Sequence, residues 1–386
     1  MRRFLLVIVL AIPACAVWAQ HAPTPSVEIA GPARVILGLN EKACGAEDYP
    51  DAPARAFRDA KGQVHLIASH TIGRQWIGPS LLDLSRSCAV MFRGGRRDDP
   101  EVFDDHAWLA AFYTEDGKRV HALVHNEYHG SDRPARCHSR RLEPCWENAV
   151  TYARSEDGGM TFFRPPGIRQ PVAALPYAYQ GDRKSQFGYF NPTNIVKWNS
   201  HYYVIIPMID VARGRSGLCL ARTEDLGRPE SWRGWDGSDF TIILQPDMRA
   251  SDPARAVRSC VSLDMQNLFF GIGSISYHPE RQLFFAVMRF NRWDRKRNDE
   301  VPGIYVSVSR DLISWEKPKL LLSDEAANEG GNDPLQIEYY PALLDPQSTS
   351  RSFDTISDKA MLFTIQMSRS RPASVRAFVA RPVELQ

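Results

Sequence analysis

Residues 51–127 contain one unit twice, and this repetition constrains the fold more than any other feature. The first copy runs Asp51-Ala-Pro-Ala-Arg-Ala-Phe-Arg-Asp-Ala-Lys-Gly-Gln-Val-His-Leu-Ile-Ala-Ser-His70. The second opens at Asp104-Asp105-His106, turns at Asp116-Gly117, and continues Val120-His-Ala-Leu-Val-His-Asn-Glu127. Each copy has acid at its start, an apolar strand, a turn with glycine, and a second apolar strand ending in polar groups. Apolar strands joined by such a turn predict a β-hairpin. In a hairpin the start of the first strand lies beside the end of the second. The pattern therefore predicts Asp51 near His70, and Asp104 or Asp105 near His125 and Glu127.

Further units of the same kind start near Tyr189, Gly271 and Tyr339. A self-similar unit of this size, repeated along the chain, predicts a propeller. The count predicts an all-β fold, a five-bladed β-propeller, over residues 51–386, or six blades if a strand group from Val27 forms its own partial blade. No convincing amphipathic helix competes with it. Residues 1–19 read as a signal peptide: Met1-Arg2-Arg3 is basic, residues 4–12 are apolar, and Val17-Trp18-Ala19 supplies small residues for cleavage after Ala19. Ile12-Pro13-Ala14-Cys15 offers a lipoprotein box as the alternative. Residues 20–50 are an N-terminal extension, in which Val27-Glu-Ile-Ala and Arg34-Val-Ile-Leu are expected to close the last blade.

An exported chain favours disulfides, and with Cys15 in the leader an even set of cysteines remains. Cys137–Cys145 is the expected local loop. Sequence alone allows fifteen pairings; with that loop set, Cys44–Cys88 and Cys219–Cys260 would follow by order. Zinc is the weaker reading, because no Cys-x-x-Cys pair exists. Beyond the leader nothing is long and apolar enough to span a bilayer, so a periplasmic or secreted location is expected. A formal net charge of +2 points neither to nucleic acid nor to an acidic membrane surface. The arginine-rich pieces at 93–97 and 292–297 read as solvated loops.

Ser155-Glu-Asp157-Gly158-Gly159-Met-Thr-Phe162 resembles the Asp-box found on outer turns of sialidase-type blades. Ser309-Arg-Asp311 followed by Trp315 echoes it without the glycines. With the repeated hairpins and Asp51-Ala-Pro53, the chain resembles the five-bladed β-propeller glycosidases of the arabinanase, β-xylosidase and fructosidase type. That resemblance implies hydrolysis of an oligosaccharide or polysaccharide by axial carboxylates. In that type the first blade starts with Asp-Pro, whereas here Ala52 intervenes. The Arg-Ile-Pro of sialidases is replaced by Arg55-Ala56-Phe57, which weighs against sialic acid as substrate.

Glycoside hydrolysis uses two carboxyl groups flanking the bond. Asp51 opens the first blade and is the candidate base or nucleophile. Asp105 is the second candidate catalytic acid, with Asp104 beside it as a substrate-binding or loop-capping group. Glu127, flanked by imidazole and aromatic groups, suits a general acid. His70 and His125, at matching hairpin ends, are candidate substrate ligands, while His65 and His121 fall mid-strand and read as structural. Asn191 and Asn194 open the third blade as hydroxyl ligands. Arg289 is placed for an acidic sugar, Tyr340 for stacking, and Glu338 is a spare acid. No cofactor is expected. The axial acids leave room for a calcium ion, although no calcium-binding loop is readable. The alternatives are a non-catalytic glycan-binding propeller, a sialidase-like enzyme, and a protein-interaction propeller.

Overall fold

The structure is a computed structural model that describes residues 25–38, 44–45, 47–68, 70–139, 141–168, 170–245, 260–294, 298–328, 336–368 and 370–386. The expected leader, with both its cleavage options, lies outside the described residues.

Two short strands come first, β1 (Val27–Ile29) and β2 (Arg34–Leu37). Blade one is β3 (Arg55–Arg58), β4 (Val64–Ile67), β5 (Ile72–Ser80) and β6 (Asp83–Arg93). Blade two is β7 (His106–Tyr113), β8 (Val120–His129), β9 (Trp146–Ser155) and the short β10 (Pro171–Ala173). Blade three has its inner strand in two pieces, β11 (Phe187–Tyr189) and β12 (Val196–Trp198), then β13 (His201–Asp210), β14 (Arg215–Thr223), β15 (Arg233–Trp235) and β16 (Phe240–Ile243). Blade four is β17 (Gly271–His278), β18 (Leu283–Asp294), β19 (Asp299–Ser309) and β20 (Lys319–Ser323). Blade five is β21 (Gln336–Leu344), β22 (Lys359–Ser368) and β23 (Arg376–Leu385), and both β1 and β2 pair antiparallel with β23. The blades are antiparallel meanders.

The meanders form a closed ring because successive side chains on a strand point to opposite faces. In β18, Leu283, Phe285 and Val287 enter the apolar core shared with blade five. Phe284, Ala286 and Met288 enter the core shared with blade three. Three more such cores join blades one and two, two and three, and five and one. Every adjacent pair of blades thus shares one core, and the fold is a five-bladed β-propeller.

The axis is pinned by Arg55. The innermost strands β7, β17 and β21 each carry a register irregularity, at 109/111, 272/274 and 339/342. A bulge leaves a backbone group without its ladder partner. Buried Arg55 meets two of these carbonyls, donating to Ala110 O at 2.8 Å and to Gly273 O at 2.8 Å. It also bonds Pro192 O at 3.1 Å and Ala54 O at 3.1 Å. One side chain so ties blades one to four. Gly273 has to be glycine, since a Cβ there would meet Pro341 O of blade five at 1.8 Å. Burial pushes the Arg55 guanidinium down to about 9.

Three disulfides join Cys44 to Cys88, Cys137 to Cys145, and Cys219 to Cys260. In the outer turn of blade two, Asp157 Oδ1 accepts from Met160 N at 3.0 Å and Thr161 N at 3.0 Å, and Phe162 packs into the core shared with blade one. Among the described residues no helix is long and apolar enough to cross a membrane.

Candidate active site at one mouth of the axis

The innermost strands begin at one face of the ring, and there the second strands end. Register decides which side chains meet. Across β7 and β8, His106 lies opposite Glu127, and Trp108 opposite His125. Across β8 and β9, Glu127 lies opposite Asn148.

Asp51 stands just before β3, with its backbone N–H bonded to Ala68 O at 2.9 Å. Its Oδ2 accepts from Trp108 Nε1 at 3.3 Å and lies 3.4 Å from His70 Nε2. Its Oδ1 accepts from Tyr340 OH at 3.2 Å and from the Arg376 guanidinium. Arg376 is held in turn by Pro50 O at 3.0 Å and lies 4.8 Å above the Tyr49 ring. Asp51 thus gathers donors from blades one, two and five, the set that suits a carboxylate anion. His70 sits between Tyr49 OH and Thr71 Oγ1, each at 3.0 Å. Burial pushes the His70 imidazole down, against the opposing pull of Asp51 and Glu47.

Glu127 meets imidazoles instead. Its Oε2 lies 2.8 Å from His129 Nε2, and its Oε1 lies 3.7 Å from His125 Nδ1. His125 is buried, which pushes its pKa down although Glu127 opposes the shift. Rings surround the pair: Trp108 lies 5.9 Å from His125, Phe190 6.4 Å from His125, and Trp146 6.1 Å from His129. Trp108 links the two carboxylates, bonded to Asp51 and packed on His125. The Asp51 and Glu127 side chains are 15% and 12% exposed, so both are shielded yet open to a ligand.

The remaining candidates take other places. Asp105 is 2% exposed and is gripped by Arg133 through two bonds of 2.9 and 3.0 Å. It also accepts from His129 N–H at 3.0 Å and lies 3.1 Å from His106 Nδ1. Burial alone would push its carboxyl up, but the bonds from His106, Arg133 and the His129 backbone outweigh burial and hold it well below the usual range. This anion, held by Arg133 and the His129 backbone, anchors the loop after β8. Asp104 caps Gly95 N–H at 2.7 Å and pairs with Arg164. Arg289 is not free for an acidic sugar, because Asp324 holds it by two bonds of 2.7 Å and it donates to Glu338 O at 2.8 Å. Glu338 is buried and paired with Arg381. Tyr340 is half-buried and its OH donates to Asp51 Oδ1. Asn191 follows Phe190, and its Oδ1 is buried without a hydrogen-bond partner. Asn194 staples blade three to blade four through Ile275 N and O. Trp108, His129, Asn148 and Arg376 are the site residues that sequence reading missed. Each lies near a strand end at this face, and that position is the signal that could have found the first three.

His106, His129 and Asp132 bring donor atoms within 4.8 Å of one another. The two imidazoles, however, are stacked, with centroids 3.9 Å apart and planes tilted by 23°. Their in-plane lone pairs run side by side and do not converge on one ion. The Arg96 guanidinium also lies against His106 Nε2.

Glu147, opposite Tyr128 on β9, is buried, and among the described residues its carboxyl makes no hydrogen bond. Burial pushes it up to about 8, with Arg183 opposing. Between the ordinary 4.5 and about 8 the folded chain keeps a proton that the unfolded chain has lost. Stability therefore falls as pH rises through this window, by on the order of 4–5 kcal/mol in full. Urea unfolding at about pH 5 and about pH 8.5 should show this loss in the wild type and not in Glu147→Gln. Equal losses in the two proteins would contradict it.

Fold and site together define the class: a closed five-bladed β-propeller with two carboxylates in contrasting surroundings at one mouth of its axis. No protein-family model matches the chain, and no curated protein matches it. Among solved structures it is similar to a glycosyl hydrolase from Bacteroides ovatus, with 10% identity, 87% of this chain and 84% of that chain covered, and a TM-score of 0.47. It is similar to the α-L-arabinanase of Cellvibrio cellulosa complexed with arabinohexaose, with 11% identity, coverage of 87% and 92%, and a TM-score of 0.45. A third likeness is to a member of the GH130 family of mannoside phosphorylases and glycoside hydrolases, with 12% identity, coverage of 96% and 95%, and a TM-score of 0.45.

Proposed function

We propose that this protein is an exported glycoside hydrolase in which Glu127 is the general acid and Asp51 the base or nucleophile. One observation carries the reading: Asp51 is ringed by a guanidinium, a phenol and an indole N–H, while Glu127, connected to it through Trp108 and His125, faces imidazoles. Glycoside hydrolysis needs one carboxyl group as acid and one as base or nucleophile, and these two stand in unlike surroundings. The rings of Trp108, Trp146 and Phe190 supply apolar faces of the kind that sugar rings stack on. Three disulfides support an oxidising compartment. The buried state of Arg55 favours this reading over a sialidase-like one, because its guanidinium is engaged by backbone carbonyls.

The test is product release from a broad panel of oligosaccharides and polysaccharides by the disulfide-intact protein, beside Asp51→Ala. Release of sugar by the wild type and its loss in the variant is the expected result. If neither releases sugar and both bind the same glycan equally well, the propeller is a glycan-binding module and Asp51 a structural cap.

A further inference from the structure

We propose that Asn148 is a positioning residue for this site: it locks His125 as the Nε2–H tautomer and so turns the Nδ1 lone pair of His125 toward Glu127, as acceptor for the acid's proton. This rests on the reading of Glu127 as the general acid.

The chain of causes starts at Gly188. Its φ is +113°, and a Cβ there would meet Asn148 O at 1.9 Å, so glycine is required. The missing side chain lets β11 run parallel against β9, with Phe187 opposite Glu147 and Gly188 opposite Asn148. That contact brings Phe187 O to the Asn148 side chain. A backbone carbonyl only accepts, so the amide must present Nδ2 to it, and does so at 3.2 Å. The amide oxygen is then left for His125 Nε2, at 2.9 Å. An amide oxygen also only accepts, so Nε2 carries the hydrogen. Asn148 is 1% exposed and His125 6%, so water does not compete for these bonds. A neutral imidazole has one N–H, which leaves a lone pair on Nδ1, facing Glu127 Oε1 at 3.7 Å.

That distance is too long for a formed hydrogen bond, but catalytic bonds commonly tighten when substrate binds. The other oxygen, Oε2, is already engaged by His129. Oε1 is therefore the edge on which the proton rides. In the acid step the Glu127 O–H bond breaks and the proton passes to the glycosidic oxygen. That oxygen keeps the electron pair of the breaking bond to the anomeric carbon. Before the step the O–H is held toward His125 Nδ1; it turns from that lone pair to the glycosidic oxygen as the bond breaks, and His125 is unchanged afterwards. An imidazolium at His125 would do the reverse, donating to Glu127 and holding it as an anion. The other titratable groups facing this pair are His129, with His106 stacked on it, and Asp51, His70 and Tyr340.

The test is a long-range 1H–15N correlation spectrum of the imidazoles, with His125 assigned by its loss in His125→Gln. The wild type near neutral pH should show the Nε2–H tautomer at His125. In Asn148→Leu that tautomer should give way to Nδ1–H. On a glycan that the wild type cleaves, Asn148→Leu should lower kcat by roughly ten- to hundredfold with little change in KM, as loss of an outer-shell partner does. The alkaline limb of its kcat profile should move as well. An Nδ1–H tautomer or an imidazolium in the wild type overturns the proposal, and so does an unchanged tautomer in the variant. If Asn148→Leu does not fold, the wild-type spectrum alone decides. A wild type that releases no sugar refutes the reading of Glu127, whereas the spectrum judges the hydrogen-bond chain independently.

Discussion

Glu127→Gln is expected to lower kcat by about 10²–10⁴-fold on a natural glycan, the range over which a positioned general acid contributes. Glutamine keeps the shape of the side chain and an oxygen that can accept from His129, so the fold should hold. What it loses is the proton. The loss should shrink on an aryl glycoside of the same sugar, because a good leaving group departs without protonation. Asp51→Asn should impair both substrates, since a base or nucleophile is needed whatever leaves. Steady-state rates on the two substrates therefore separate the roles. If Glu127→Gln loses as much on the aryl glycoside as on the natural glycan, the two carboxylates have exchanged roles.

Arg55→Met should be the most damaging single change to stability, at on the order of 3–6 kcal/mol. The guanidinium satisfies Ala110 O, Gly273 O and Pro192 O from three different blades. Methionine fills similar space but leaves these acceptors buried and unmet, at about 1–3 kcal/mol each. Relief from burying a charge that has no carboxylate partner among the described residues offsets part of that cost. Arg55→Lys keeps the charge but cannot reach all three carbonyls with one ammonium, so it should fall between. The midpoint of urea unfolding at constant slope measures both variants. A loss below about 1 kcal/mol in Arg55→Met would show that the axis is held by the cores between blades alone.

Much of this was legible before any coordinates. A hairpin is local, so alternation and a glycine turn were enough to set Asp51 beside His70 and to place Glu127 at the same end of its own blade. Proximity along the chain favoured the local Cys137–Cys145 pair, while sequence alone left fifteen pairings open. The roles of the charged side chains were not legible. Asp104, Asp105 and Arg289 stand at strand ends like Asp51 and Glu127, and nothing local marks them as different. Their partners do: Arg133 for Asp105, Arg164 for Asp104 and Asp324 for Arg289. Arg55, read from sequence only as standing where sialidases have Arg-Ile-Pro, bonds carbonyls of blades two, three and four.

The sequence by itself determined the all-β character and the hairpin units, because strand and turn preferences act over a few residues. The tertiary structure alone decided which partners each acid meets. Asp51 meets Arg376 across 325 residues and Tyr340 across 289, and Asn148 meets Phe187 across 39. Those meetings depend on closure of the ring and on the close approach permitted at Gly188. Both are settled by packing between blades, which no local pattern encodes.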